Sequence, residues 1–239
     1  MRKPGTAPAL ALLAGIAAAP AVRAQAPAVY PSIEVATDEN RRGLSWSDGR
    51  ATASADLAVE SGPVSGSVRV SALRGSPLHD GADAVIDLAL RAAQDIGPLE
   101  VALRGAVHLF SGAESKQDYA EVGASAAYMI GPLRLNAGAD YAPSQSAIGG
   151  DNLYLFAGAD VGIPATPFTV YGHVGHSSGD TDEDSLANRL RPRGDYADWR
   201  LGTDYVAGPL VLSVEYVGTD IPPERVHDDR AVVRARFTF

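Results

Sequence analysis

Residues 131–141 read Gly-Pro-Leu-Arg-Leu-Asn-Ala-Gly-Ala-Asp-Tyr. After the Gly-Pro pair the odd positions are apolar, whereas Arg134, Asn136 and Asp140 occupy even positions. Successive side chains of a strand point to opposite faces, so this period of two predicts a β-strand with one apolar and one wet face. Gly supplies backbone angles that other residues avoid, and Pro cannot donate to a sheet ladder. The pair therefore marks a tight turn in front of the strand.

The same punctuation recurs along the chain. Further turns of this kind, three Gly-Pro pairs and one Gly-Ile-Pro, stand at residues 62–63, 97–98, 162–164 and 208–209. With the turns as fixed points, the alternation predicts twelve strands. They span about residues 29–37, 51–60, 64–73, 84–93, 99–110, 118–130, 133–141, 151–162, 167–177, 195–205, 210–219 and 230–239.

The connections between these strands alternate in length. The short ones are residues 61–63, 94–98, 131–132, 163–166 and 206–209; the longer polar ones are residues 38–50, 74–83, 111–117, 142–150, 178–194 and 220–229. This arrangement fits an even number of strands with both chain ends on the short-turn side. It predicts an all-β fold, a closed antiparallel transmembrane β-barrel of about 12 strands, with short periplasmic turns and longer extracellular loops.

A soluble β-sandwich is the alternative, because it too has short alternating strands. A sandwich does not need connections that alternate in length, and it gains little from aromatic residues near strand ends. Such residues are Tyr119, Tyr128, Tyr141, Phe168, Tyr205 and Tyr216. The barrel is therefore favoured, with a strand count that Pro31 in the first strand leaves open by two.

The first 24 residues have the features of a secretory signal peptide. Arg2 and Lys3 precede an apolar stretch, and Val22-Arg23-Ala24 forms a small-residue cleavage site. The apolar stretch is shorter than the roughly 20 residues that a spanning helix needs. We therefore expect residues 1–24 to be removed on export and residues 25–239 to form the barrel domain in the bacterial outer membrane.

Charge and cysteine content exclude several classes of function. Without the leader, the sequence has 17 basic and 29 acidic residues, which give a formal charge of −12. Nucleic acid is thus not an expected partner, because phosphate binding requires a basic surface. The sequence has no Cys, so disulfides, thiolate catalysis and Cys-based metal sites are excluded. No cofactor is expected.

The charged side chains of the strands fall on the face opposite the apolar one. A charge on the lipid face would cost roughly 2 to 4 kcal/mol for Arg, so these residues are expected to line the lumen and to be its selectivity candidates. They are Arg69, Arg91, Arg104, Arg134, Arg200, Arg230, Arg234, Arg236, Asp87, Glu100, Glu121, Asp140, Asp198 and Glu215. Two readings stay open: a hydrated channel whose charges select solutes, and an ion-pair network that fills a narrow barrel. The last strand places Arg230, Arg234 and Arg236 on one face as a basic strip.

Two other sites can be weighed against simpler interpretations. The acidic run Asp180, Asp182, Glu183 and Asp184 offers oxygen ligands for Ca²⁺, but it has no internal Gly and no following bidentate Glu, so a solvated loop is favoured.

A lipid hydrolase would need Ser and His together on the outer wall. His176 and Ser177 are adjacent and therefore point to opposite faces of the strand. No Ser-His-Asp set can be recognised in the sequence. The chain is not expected to be an enzyme.

Residues 41–47 read Arg-Arg-Gly-Leu-Ser-Trp-Ser. They resemble the Arg-Gly-x-Ser-x-Ser segment that follows the first strand in a family of proteobacterial outer-membrane porins, the TorF type, although Glu39-Asn40 stands where the family usually has an aromatic residue. Residues 172–176 and 195–202 are similar too. Phe239 resembles the terminal signal that the barrel assembly machinery recognises. The resemblance implies an outer-membrane channel without an assigned substrate.

The sequence thus predicts an outer-membrane porin through which small hydrophilic solutes diffuse passively. Expected partners are outer-membrane lipid, lipopolysaccharide, the barrel assembly machinery and the solutes themselves. The alternatives are a non-conducting structural or adhesion barrel with a filled interior and, less favoured, an outer-membrane lipid hydrolase.

Overall fold

The computed structural model describes residues 26–224 and 226–239. Twelve strands form one closed antiparallel barrel in which each strand pairs with its neighbours in the chain, and the first strand pairs with the last. Glu34 stands opposite Arg236 where the barrel closes. The predicted leader, residues 1–24, and its cleavage site lie outside the described residues.

The barrel strands are long and continuous. They are β1 (Ala28–Ala36), β4 (Thr52–Ser61), β5 (Val64–Ser76), β6 (Ala82–Ile96), β7 (Leu99–Ser111), β8 (Tyr119–Ile130), β9 (Leu133–Gln145), β10 (Gly150–Gly162), β11 (Phe168–Ser178), β12 (Tyr196–Ala207), β13 (Leu210–Thr219) and β14 (Arg230–Thr238). All twelve correspond to the strands predicted from the alternation, so the fold class is confirmed. The largest differences are at β5 and β9, which extend further toward the long loops than predicted, and at β6, which is longer at both ends.

Four short elements lie in the long loops. Strands β2 (Asn40–Arg41) and β3 (Leu44–Ser45) form a small hairpin, Pro77–His79 forms one 3-10 turn, and α1 (Asp184–Ala187) is a single helical turn. Among the residues that the structure describes, no helix is long and apolar enough to cross a membrane. We call the loops L1 (residues 37–51), L2 (77–81), L5 (179–195) and L6 (220–229), their side of the barrel the loop end, and the opposite side the turn end.

The glycines of the Gly-Pro pairs have left-handed backbone angles. Their φ values are 59° at Gly62, 63° at Gly97, 57° at Gly131 and 60° at Gly208. Each following proline still contributes to the sheet, because a carbonyl needs no N–H: the amide of Ala93 donates to the oxygen of Pro63 at 2.8 Å. The pair thus makes the turn with Gly and continues the ladder with the acceptor of Pro, which confirms its role at the turn end.

The outer wall is apolar along every strand. Leu90, Leu103, Val122 and Leu201 are each more than half exposed on this face. Aromatic side chains stand outside at both ends: Tyr128, Phe168 and Tyr205 at the turn end, and Tyr141 and Tyr216 at the loop end. This distribution matches the aromatic girdles of barrels that sit in lipid.

Tyr119 departs from this pattern. It points into the barrel, is 4% exposed and stacks on His108 with ring centroids 4.4 Å apart. Tyr119 lies near a strand end as predicted, but its position two residues before Glu121, which faces the lumen, places it on the inner face.

The apolar core sits at the loop end. Leu44 and Trp46 of L1, Leu190 of L5 and Ile221 of L6 are buried together with residues on the inner ends of the strands. These loops therefore fold inward and pack against one another. The turn-end half of the lumen has no comparable cluster among the described residues.

Candidate functional site: the charged lumen

L1 carries the β2–β3 hairpin into the lumen. The expectation that the Arg-Arg-Gly segment lies on the outer surface is therefore wrong. The guanidinium of Arg41 lies over the ring of Trp46, 4.3 Å from its centroid, and donates through Nη2 to Asp87 on β6 at 2.8 Å. Lumen carboxylates attract the two arginines, and burial of Leu44 and Trp46 adds apolar contact. L1 is thus a plug anchored to the barrel wall.

Arg42 is the innermost anchor of this plug. Its Nη2 contacts Glu121 at 2.8 Å and Asp140 at 3.5 Å, and its guanidinium lies 4.3 Å from the centroid of the Tyr154 ring. The Glu121 carboxylate raises the pKa of Arg42 even though burial of the side chain opposes this shift. The backbone at Arg42 has φ 51°, a left-handed angle that is uncommon for a residue with a side chain.

The remaining residues of the resembling motif hold the hairpin in shape. The hydroxyls of Ser45 and Ser47 donate to Asp38 at 2.5 and 2.8 Å. Gly43 has φ 76°, and a Cβ there would lie 2.4 Å from Cγ2 of Thr219. Arg42, Gly43, Ser45 and Ser47, the residues that match Arg-Gly-x-Ser-x-Ser, therefore each have a structural role in the plug, which the sequence alone did not reveal.

A second buried cation closes the loop end. Arg189 of L5 donates to the carbonyl oxygens of Ala147 and Gln117 and approaches Nδ1 of His79 at 3.2 Å. Its guanidinium also lies 5.1 Å from the Phe110 ring centroid. Burial lowers the pKa of Arg189 to about 10. Burial and the charge of Arg189 together hold the pKa of His79 well below its usual value.

The lumen contains three successive cavities, and the plug itself lines the first of them. A loop-end cavity of about 290 Å³ lies beside Trp46, a middle cavity of about 400 Å³ lies beside Phe156, and a turn-end cavity of about 460 Å³ lies beside Asp160. Adjacent cavities share lining residues. Arg42 and Arg104 line the first and second, and Arg200 lines the second and third.

All fourteen predicted selectivity candidates lie on lumen-facing positions, and most of them are ion-paired. Glu34 pairs with Arg69 at 2.8 Å and Arg236 at 3.0 Å, and Glu215 pairs with Arg234 at 2.7 Å. Further contacts are Arg104 with Glu121 and Asp140, Arg91 and Arg134 with Glu100, Arg41 and His108 with Asp87, Arg200 with Glu215, Arg230 with Asp38, and Tyr154 with Asp198. The structure thus places them together; their role in selectivity stays a prediction.

The residues weighed for lipid hydrolysis do not converge. His176 is exposed on the outer wall, where it stands opposite Leu155 and Ala197, whereas Ser177 is fully buried on the inner face. The acidic side chains of L5 include Asp182, whose carboxylate accepts a local hydrogen bond from the hydroxyl of Ser144 at 2.9 Å. Within the described residues, no group of three or more His, Asp or Glu side chains could hold a metal ion.

Comparison with known families gives a match over nearly the whole chain. Residues 23–238 match a bacterial family described as protein of unknown function, Gcw_chp. This chain belongs to that family. None of the curated proteins is significantly similar in sequence. The family description names no porin type, so the TorF-type resemblance stays a prediction.

Solved structures with a similar fold are outer-membrane barrels. The KdgM porin has a TM-score of 0.57 at 8% identity, over 88% of this chain and 99% of that one. The COG4313 outer membrane channel from Pseudomonas putida F1 has a TM-score of 0.53 at 9% identity, over 94% and 98%. At such low identity the similarity establishes the fold, which is that of porins and outer-membrane channels.

Proposed function

We propose that this protein is an outer-membrane channel through which small hydrophilic solutes diffuse passively, and that L1 sets the width of the path. The observation that carries the proposal is the series of three cavities that share lining residues along the lumen. A wall lined by half-exposed arginines, such as Arg104 and Arg134, suits water and polar solutes rather than a dry core.

The placement in the membrane is part of the same proposal. The apolar outer wall and its two aromatic girdles suit a bilayer, with the turn end in the periplasm and the loops toward lipopolysaccharide. Phe239 lies beside β14, is 70% exposed, and has its ring centroid 5.1 Å from that of Phe237. We propose that it serves there as a recognition signal for the barrel assembly machinery.

The test is single-channel recording in planar bilayers with the pure protein. We expect discrete conductance steps from the wild type. Replacement of residues 40–46 by a Gly-Ser linker removes Arg41, Arg42 and Trp46 from the lumen, and should increase the step size several-fold. Circular dichroism melting of both proteins checks that the variant is folded. Absence of steps from both proteins would contradict the proposal.

A non-conducting barrel with a filled interior is the second candidate. The buried apolar cluster that joins L1, L5 and L6 favours it, because this cluster packs the loop end of the lumen. The same recordings separate the two. A silent wild type together with a conducting linker variant would support the filled barrel and overturn passive diffusion.

A further inference from the structure

The middle cavity differs from its neighbours in charge. Four guanidinium groups and a single carboxylate line it: Arg42, Arg91, Arg104, Arg200 and Asp140. The other two cavities are balanced, with three arginines and three carboxylates at the loop end and four of each at the turn end. The excess positive charge is therefore confined to the middle of the lumen, where an anion would be attracted from either side.

The register of the strands brings these arginines together. Arg91 on β6 stands directly opposite Arg104 on β7. Like charges in directly opposed positions repel each other, so this pair is unfavourable unless acidic groups or a ligand neutralise it. Arg91 contacts Glu100 at 2.8 Å and Arg104 contacts Asp140 at 2.6 Å, yet their side chains remain 38% and 41% exposed. Both can therefore also donate to a ligand in the cavity.

Arg200 approaches the same cavity from the other wall. Its strand, β12, lies six positions from β6 in the barrel of twelve, so the two strands are on opposite sides. The side chain is 37% exposed, and its nearest acidic contact, Glu215, lies 3.8 Å away and also binds Arg234. The cavity thus spans the lumen, and a solute that crosses the barrel here passes between guanidinium groups.

An aromatic surface lies between the arginines. The rings of Phe156 and His173 are nearly parallel, 5.8 Å apart at an interplanar angle of 23°. Phe156 lies across its cross-strand partner Gly138, where a Cβ would be 2.5 Å from Cζ of the ring. Because Gly138 has no side chain, the ring can lie against the wall while it lines the cavity. The neighbouring ring of Tyr154 is already covered by Arg42.

We infer that the middle cavity binds a small aromatic carboxylate, with the carboxylate on the guanidinium groups and the ring against Phe156. This inference rests on the proposed function, because the lumen is the route by which the solute arrives. Guanidinium groups pair with carboxylates through two parallel hydrogen bonds, and aromatic rings favour offset stacking. The volume of about 400 Å³ lies within the range of roughly 300 to 1,000 Å³ that is typical of small-molecule sites.

The experiment measures binding without a membrane. Isothermal titration of the full detergent-solubilised protein with benzoate, cyclohexanecarboxylate and acetate should give affinities in that order. Phe156→Leu should weaken benzoate binding about three- to tenfold and leave acetate unchanged. Arg200→Gln should weaken benzoate and acetate alike, by about tenfold. Phe168→Leu on the outer wall and Arg236→Gln in the balanced turn-end cavity are matched controls that should bind benzoate as the wild type does, because Arg236 pairs with Glu34 and not with a residue of the middle cavity.

The outcomes separate this site from the channel itself. Equal affinities for benzoate and acetate, or no effect of Phe156→Leu in a variant that melts like the wild type, would overturn the site. If the protein conducts in bilayers but does not bind benzoate, the site is wrong and the channel stands. If benzoate binds but no variant conducts, the site stands and the channel is wrong.

Discussion

Arg189 is a buried cation whose direct contacts are neutral. It is 4% exposed, and its hydrogen bonds within the described part of the chain go to carbonyl oxygens and an imidazole nitrogen, not to a carboxylate. His79, Phe110 and two carbonyl oxygens surround it instead. Nδ1 of His79 faces the guanidinium, so the imidazole must be neutral to accept this hydrogen bond. The packing of L1, L2 and L5 around Arg189 therefore depends on the protonation state of one histidine.

Acid should loosen the loops through His79. Its pKa in the folded protein lies well below the usual 6.5, because burial and the nearby charges of Arg189, Arg41 and His108 oppose protonation. Below pH 6.5 His79 takes up a proton in the unfolded loops but stays neutral in the folded loops, so the free energy of unfolding falls as the pH falls. Hydrogen-exchange protection of the amides of Leu190 and Arg191, corrected for intrinsic rates, should therefore decrease from pH 7 to 5.

His79→Gln keeps a hydrogen-bond acceptor but cannot titrate, and it should remove most of this pH dependence. His176→Gln, on the exposed outer wall, is the matched control and should retain it. Equal pH dependence in wild type and His79→Gln would show that another group controls the loops.

Strand β9 has a position where only glycine fits. A Cβ at Gly138 would lie 2.5 Å from the Phe156 ring and 2.6 Å from the carbonyl oxygen of Ala124 on the neighbouring strand. The backbone oxygen cannot move without disturbing the β8–β9 ladder, so overpacking of about 1–3 kcal/mol is expected for Gly138→Ala. Urea unfolding of the detergent-solubilised barrel, followed by tryptophan fluorescence, should measure this loss.

Gly105 on β7 is the matched control for this substitution. It lies in a strand like Gly138, but no atom lies within 4 Å of the position that its Cβ would take. Gly105→Ala should therefore leave the urea midpoint unchanged or raise it slightly, because alanine restricts the unfolded chain. A similar loss in both variants would mean that strand propensity, and not the contact with Phe156, explains the effect.

The elements that could be predicted from the sequence are those whose position follows from residues close together in the chain. Alternation and Gly-Pro turns placed twelve strands, because the barrel repeats the same two faces in every strand. The L1 plug follows no such rule, since its position depends on carboxylates such as Glu121 and Asp140, which are distant in the chain. Leu44 and Trp46, two apolar residues in a polar loop, were the available signal. The excess positive charge of the middle cavity could not be predicted from the sequence either, because it arises from the register between strands.

Along most of the lumen, basic and acidic side chains lie beside one another instead of occupying separate walls, and the middle cavity is the exception. The basic strip of β14 illustrates this. Arg230 contacts Asp38, Arg234 contacts Glu215 and Arg236 contacts Glu34, at 3.3, 2.7 and 3.0 Å. Each positive charge on the strip therefore offsets a particular carboxylate. The selectivity of the pore should depend on which of these charges remain uncompensated.

Neutralising the strip should make the channel prefer cations. Arg230→Gln, Arg234→Gln and Arg236→Gln together leave the carboxylates of Asp38, Glu215 and Glu34 with less compensation, although Arg69 and Arg200 still approach two of them. The reversal potential in a KCl gradient should therefore shift toward the potassium potential. The double variant Arg234→Gln, Glu215→Gln removes one pair without changing net charge, and should shift it much less. The field of three charges in a narrow lumen is only weakly screened over less than a Debye length of about 8 Å. An unchanged reversal potential in the triple variant would therefore place the strip outside the conduction path.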